Sequence, residues 1–205
     1  MNSIGFGTRP ASTGVKANDV SLHVRERIRG KMRRNGSRSP SPSVVEPRRP
    51  LPLGVYSFVR AARVCPGVRR ISLLGSLVTD KTIPKDVDLL VVIDRMMDLN
   101  GLARVGRRLM GSAQTINLGA DIFLADSAGR YLGRICHYRE CHPRAACLAQ
   151  HCGQTEHLND DLHIVTLSKD LIASPPVDLW PKVVRRLTVP IDVEEILLTE
   201  LERDQ

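Results

Sequence analysis

From Leu51 onward, stretches whose apolar residues recur at helical spacing alternate with short runs that are apolar almost throughout. Val55, Phe58, Val59 and Ala62 fall at i, i+3, i+4 and i+7, which predicts a helix buried along one face. Cys65-Pro66-Gly67 ends it, since proline and glycine both break helices. Ile71 to Leu74 then predicts a short strand stopping at Gly75-Ser76. Val87 to Ile93 predicts a second strand, apolar on both faces after its start, as a central strand covered on both sides requires. Leu102, Val105 and Leu109 share a face of a helix predicted over Asp98 to Met110, with Asp98 as its N-cap. "INLGADIFLAD", residues 116–126, predicts a third strand. The order helix, strand, strand, helix, strand implies an α/β (α+β) domain, a small mixed β-sheet flanked by helices.

Beyond this core the pattern is weaker. His163 to Leu167 predicts a strand, "ASPPVDLWP" a turn, and the region from about Asp192 a helix with Val193, Ile196, Leu197 and Leu201 on one face. Asp192 and Glu195 have the spacing of a capping box. The chain thus divides into a basic N-terminal tail (1–50), a core (51–130), a Cys/His-rich segment (131–160) and a C-terminal strand and helix (161–205).

Composition sharpens this division. The 42% hydrophobic content supports a core, and the 3% aromatic content makes it aliphatic. The net charge of +8 is not evenly spread: residues 1–50 hold eleven Lys or Arg against three acids, so the remainder is formally neutral. "NGSRSPSPSVVEPRRPLP" offers almost nothing to bury, so the tail is expected to be disordered, apart from a marginal helix around Val20 to Ile28. It reads either as a solvated extension or as an arm for the phosphate backbone of a nucleic acid. No apolar run approaches the roughly 20 residues that cross a bilayer, and none follows the first basic residues as in a signal peptide. With five cysteines, an odd number, the chain is expected to be cytoplasmic.

The candidate chemistry lies in "ISLLGSLVTDKTIPKDVDLLVVID", residues 71–94. Asp86 and Asp88, two apart on a strand, project from the same face about 6.6 Å apart along it. Carboxylates about 5 Å apart repel by roughly 3 kcal/mol at an effective dielectric of about 20. Such a pair either takes up a proton or holds a cation. Asp121 on the next strand can complete a trio of hard oxygen donors suited to Mg²⁺, which keeps open positions for substrate phosphates. Two such ions can hold the attacking and leaving oxygens of a phosphoryl transfer. Gly75 allows close backbone approach to a phosphate, and the Ser76 hydroxyl can donate to it. The more ordinary reading makes Gly75-Ser76 a turn, Asp86 and Asp88 solvated strand-entry residues, and Asp121 the partner of a nearby Lys or Arg. Lys81 and Lys85 lie in the connection, within reach of a triphosphate or merely solvated.

Taken in order, "LLGS" at 73–76, "DVD" at 86–88 and "ADIF" at 120–123 resemble the signature of the DNA polymerase beta-like nucleotidyltransferase superfamily. The resemblance covers roughly residues 52–126 and is closest to the minimal bacterial nucleotidyltransferases, including those acting as antitoxins. It implies that Gly75 and Ser76 hold a nucleoside triphosphate, that Asp86 and Asp88 bind the metal ions, and that Asp121 shares a metal and helps activate an acceptor hydroxyl. The acceptor would be a protein, a nucleic acid or a small molecule. A non-catalytic module of the same fold, binding a partner protein or nucleic acid, is the competing expectation. The fifty or so residues after the cysteine-rich segment are short for the helical second domain of larger members, so specificity would come from them or from a partner chain.

A second motif is "RICHYRECHPRAACLAQHCGQTEHLNDD". Cys136, Cys141, Cys147 and Cys152 alternate with His137, His142, His151 and His157, residue types that bind zinc in tetrahedral sites. Gaps of four, five and four residues are looser than paired C-x-x-C knuckles. A structural Zn²⁺ site and ordinary reduced thiols are both open on this spacing.

Overall fold

The computed structural model describes residues 48–138, 155–159, 162 and 164–205. Its centre is a seven-stranded mixed sheet in the order β5 (Leu158–Asn159), β4 (Tyr131–Ile135), β3 (Gly119–Asp126), β2 (Asp86–Ile93), β1 (Val68–Leu74), β6 (Val177–Trp180), β7 (Val184–Arg185). Helix α1 (Pro50–Ala62) leads into β1 (Val68–Leu74), a single 3₁₀ turn (Gly75–Val78) and β2 (Asp86–Ile93). Helix α2 (Asn100–Thr115) connects β2 to β3 (Gly119–Asp126), and those two strands run parallel. The other neighbours are antiparallel: β4 (Tyr131–Ile135), β5 (Leu158–Asn159), β6 (Val177–Trp180) and β7 (Val184–Arg185). A short helix α3 (Lys169–Ala173) precedes β6. The chain closes on α4 (Ile191–Val193), a π-helical turn (Glu194–Leu198) and α5 (Thr199–Arg203), end to end.

The aliphatic core forms where the helices meet one face of the sheet. Val87, Leu89 and Val91 of β2 and Ile122 and Leu124 of β3 cluster with Val55 and Phe58 of α1, Leu102 and Leu109 of α2, and Val193 and Leu197 near the C-terminus. The alternate residues face the other way. There Leu74, Leu90, Phe123, Ala125 and Tyr131 make a smaller cluster, covered by Leu167 and by Ile172 of α3. Period-two alternation of the strands therefore sorts the even positions of β2 (Asp86, Asp88, Leu90) onto this lightly covered face.

Several boundaries differ from the sequence expectation, each for a physical reason. Helix α2 runs five residues past Met110 and begins two after Asp98, whose carboxylate accepts the Asn100 amide at 2.9 Å. The strand expected at His163–Leu167 is not formed: residues 164–167 have no strand pairing, and His163 lies outside the described residues. The strand is β6, inside the stretch read as a turn. Pro175 and Pro176 end just before it, and Val177 and Leu179 point into the core while Asp178 faces Ser72 across the β1 pairing. The expected capping box is absent: Pro190 is the N-cap, and the Asp192 carboxylate accepts from Arg48 Nε at 2.8 Å. The π turn shifts the helix phase, so Leu198 rather than Ile196 joins Val193, Leu197 and Leu201 in burial. The helix expected around Val20 to Ile28 lies outside the described residues.

Arg48, grouped with the basic tail by sequence, is a structural pin. Besides Asp192, its guanidinium donates to the Leu77 carbonyl at 2.8 Å and to the Lys81 carbonyl. One side chain thus ties the 3₁₀ turn after β1 to the start of the C-terminal helix. Among the described residues no helix is long and apolar enough to cross a membrane.

Asp178 holds the β1–β6 seam from the lightly covered face. At 5% exposure it accepts from Ser72 Oγ at 2.6 Å and Arg186 Nη1 at 2.8 Å, with Arg70 Nε at 3.7 Å. Asp178→Ala is expected to lower unfolding free energy by about 2–3 kcal/mol, because it removes the carboxylate that offsets the Arg70 and Arg186 charges and leaves the buried Ser72 hydroxyl without its acceptor. Asp178→Asn, which keeps an acceptor for Ser72, is expected to cost less. Urea unfolding followed by the fluorescence of Trp180, the chain's sole tryptophan, measures both.

Candidate active site

Register alone brings the sequence-selected residues to one end of the sheet. Asp88 lies opposite Leu74 of β1 on one side and opposite Asp121 of β3 on the other, and Asp86 lies opposite Gly119. Because β1 ends at Leu74, the next residue, Gly75, falls directly beside the Asp88 side chain. It has φ +69°, and a Cβ added there would stand 1.8 Å from Asp88 Oδ2. The room that Gly75 leaves is therefore taken by the Asp88 carboxylate, not left open to a phosphate. Gly119 does the same for Asp86, where an added Cβ would be 2.3 Å from Oδ1, and its amide donates to that oxygen at 3.1 Å. The sequence reading did not single out Gly119. "LGAD" was the available signal, a glycine two residues before an aspartate at the start of a strand.

The Ser76 hydroxyl works within the backbone. It accepts the Lys85 amide at 3.2 Å and donates to the Asp86 carbonyl at 3.4 Å, closing the connection between the 3₁₀ turn and β2. Among the described residues Asp121 meets neither Lys nor Arg. His137, just beyond β4, places Nε2 3.0 Å from its Oδ1. Sequence grouped His137 with the zinc-like motif, and no spacing rule could have moved it, since the contact depends on β4 folding back along β3.

Electrostatically, Asp88 is the unusual member. Three aspartates are buried among the described residues: Asp88, Asp126 and Asp178. Asp178 has Ser72 and Arg186. Burial pushes Asp126 upward, yet the amide and guanidinium of Arg130 and the Ala128 amide outweigh it and hold the carboxyl below its ordinary value. Asp88, 7% exposed, has no such help. Burial, then the charges of Asp121 and Asp86, push it up to about 7. Asp86 also rises, through burial and then Asp121, against the opposing Gly119 amide and Lys85. Asp88 thus feels both of the other carboxylates and Asp86 feels Asp121, which places the trio at one end of the sheet.

The donor chemistry suits Mg²⁺: hard carboxylate oxygens, one of them buried at a cost that a cation would relieve. The trio is nonetheless not a ready-made cage, as no set of three or more His, Cys, Asp or Glu among the described residues has the arrangement of a metal-holding group. Gly119 and His137 already engage one oxygen each on Asp86 and Asp121. Of the possible zinc ligands, Cys136 is fully buried, and Cys141, Cys147 and Cys152 lie outside the described residues. The His157 ring turns to α2, accepting from Arg107 Nη2 at 3.3 Å on Nδ1 and donating to Asn100 Oδ1 at 2.7 Å from Nε2. No family model, curated protein or solved structure matches this chain.

The raised Asp88 value sets a pH dependence. A carboxyl that titrates higher folded than unfolded favours folding fully below its unfolded value near 4, and that contribution is lost as pH rises through about 7. For metal-free protein this group is expected to make the fold about 2 kcal/mol more stable at pH 5.5 than at pH 8. Denaturant unfolding of Asp88→Asn in chelator should show that difference abolished relative to the parent chain.

Proposed function

We propose that the chain is a metal-dependent nucleotidyltransferase, which moves a nucleoside monophosphate from a nucleoside triphosphate to a hydroxyl acceptor on a protein, a nucleic acid or a small molecule. The acceptor oxygen bonds to the α-phosphorus, the bond from that phosphorus to the α–β bridging oxygen breaks, and pyrophosphate leaves. One observation carries this reading: Asp88 is buried between two further carboxylates while the other buried aspartates have cationic or donor partners. Such an arrangement is costly on its own and becomes favourable when a divalent cation enters.

In this reading Asp86, Asp88 and Asp121 hold Mg²⁺, which neutralises phosphate charge and orients the reacting oxygens. Asp121 also accepts the acceptor's proton. Gly75 keeps Asp88 in place by leaving room for it, and Gly75-Ser76 stands at the phosphate end of the site, where Lys85 adds positive charge. The likeness of 52–126 to the polymerase beta-like superfamily supports the same assignment through its order of Gly-Ser, Asp-x-Asp and Asp.

The competing reading is a non-catalytic module of that fold which binds a partner protein or nucleic acid. Two observations favour it: the Asp88 carboxylate fills the space over Gly75, and the Ser76 hydroxyl is spent on the backbone. Incubation with α-labelled nucleoside triphosphates, Mg²⁺ and candidate acceptors separates the two. The enzyme reading expects label transfer that chelator stops and that falls at least a thousandfold in the Asp86→Asn, Asp88→Asn double variant, given the several kcal/mol a catalytic metal contributes. Transfer undiminished in that variant refutes it. Absence of transfer, with partner capture indifferent to both substitutions, establishes the module.

A further inference from the structure

We propose that His137 is a positioning residue of the carboxylate site, which selects the single oxygen through which Asp121 works. The inference rests on the reading above, that a cation occupies the trio. An ionised carboxylate accepts hydrogen bonds and donates none, so the 3.0 Å contact requires the proton on His137 Nε2 and the donation to Asp121 Oδ1. Oδ1 is thereby engaged and its plane fixed, which leaves Oδ2 as the oxygen that meets the cation. Asp121 then binds through one oxygen rather than two, and the cation keeps a coordination position for substrate.

The imidazole is well placed for this task because the chain before it is tied down by hydrogen bonds and burial. The Cys136 amide donates to the His157 carbonyl at 2.9 Å, and Arg107 Nε donates to the Cys136 carbonyl at 3.2 Å. Ile135 pairs with Leu158 one residue earlier, and the Cys136 side chain is fully buried. His137 therefore leaves β4 from an anchored backbone and crosses to the adjacent β3 at the end where Asp121 faces Asp88. Its own side chain is 42% exposed, so it supports little packing and can be replaced without opening the core. Hydrogen bonds that orient a metal-binding group from behind are worth about 10–100-fold in metal affinity.

The test titrates Mn²⁺ into the purified full chain at fixed pH and follows the free ion by electron paramagnetic resonance. His137→Ala should weaken Mn²⁺ binding about 10-fold, while His137→Gln, whose amide N–H can stand where Nε2 stands, should stay within about 3-fold of the parent. Thermal melts of both variants without metal should keep a single cooperative transition, which shows that a loss of Mn²⁺ binding is not a loss of the fold. Equal affinity in the parent and His137→Ala overturns the inference, as does a His137→Gln variant as weak as His137→Ala. If the parent binds Mn²⁺ and Asp88→Asn does not, yet His137→Ala binds like the parent, only the role of His137 falls. If the parent binds no better than the Asp86→Asn, Asp88→Asn double variant, the cation reading falls and this inference with it.

Discussion

A carboxylate at position 88 has to be kept where a strand buried on both faces would ordinarily place valine or leucine, and much of the local architecture follows from that constraint. β1 ends at Leu74, the register partner of Asp88, and the residue that follows is a glycine at positive φ because any side chain there would occupy the carboxylate's position. β3 begins with Gly119 for the parallel reason, its missing side chain admitting Asp86. The apolar cluster on this face starts immediately beyond, at Leu74, Leu90 and Phe123. It supplies the low-dielectric wall that raises Asp88 and would strengthen any attraction between the trio and a cation.

The connection from β1 to β2 is held by burial of Leu77 and Val78 in the core and by polar contacts on either side of them. Ser76 closes its far end against Lys85 and Asp86, and Arg48 reaches Leu77, Lys81 and Asp192 from before α1. Asp192 thereby serves the turn instead of capping its own helix. The N-terminal flank of the domain and its final helix are both fastened to the segment carrying Gly75 and Ser76. The placement of the candidate site thus depends on residues at both ends of the described chain.

The parts of this arrangement that were legible in sequence are those governed by local periodicity. Val55 through Ala62 and the Leu102–Leu109 face each carry a helical repeat, and the Val87–Ile93 run has the apolar character of a covered strand, so each matches one element. The parts that were not legible depend on tertiary partners. β6 is four residues long and framed by prolines, so its turn signals outweighed the alternation of Val177, Asp178 and Leu179. The C-terminal face was misread at one position, Ile196 in place of Leu198, because a π turn does not keep the α-helical period assumed from sequence. His137 and Gly119 join the site through strand adjacency alone. Nothing in a spacing of sixteen residues between Asp121 and His137 distinguishes a contact from a coincidence.

The contrast between two buried aspartates on the same face is the strongest argument that Asp88 is more than a structural residue. Asp178 and Asp88 are 5% and 7% exposed, and both flank β1, at Ser72 and Leu74. Around Asp178 the chain supplies a hydroxyl and two guanidinium groups, the standard means of making a buried charge tolerable. Around Asp88 it supplies two more acids. Had position 88 been needed only to fill or terminate the sheet, an apolar residue would have served at no electrostatic cost, and Gly75 would not have had to make way for it. A site that carries the cost of like charges in its free state recovers it when positive charge arrives, and that property of this end of the sheet, rather than any single distance, is what the proposed phosphoryl chemistry rests on.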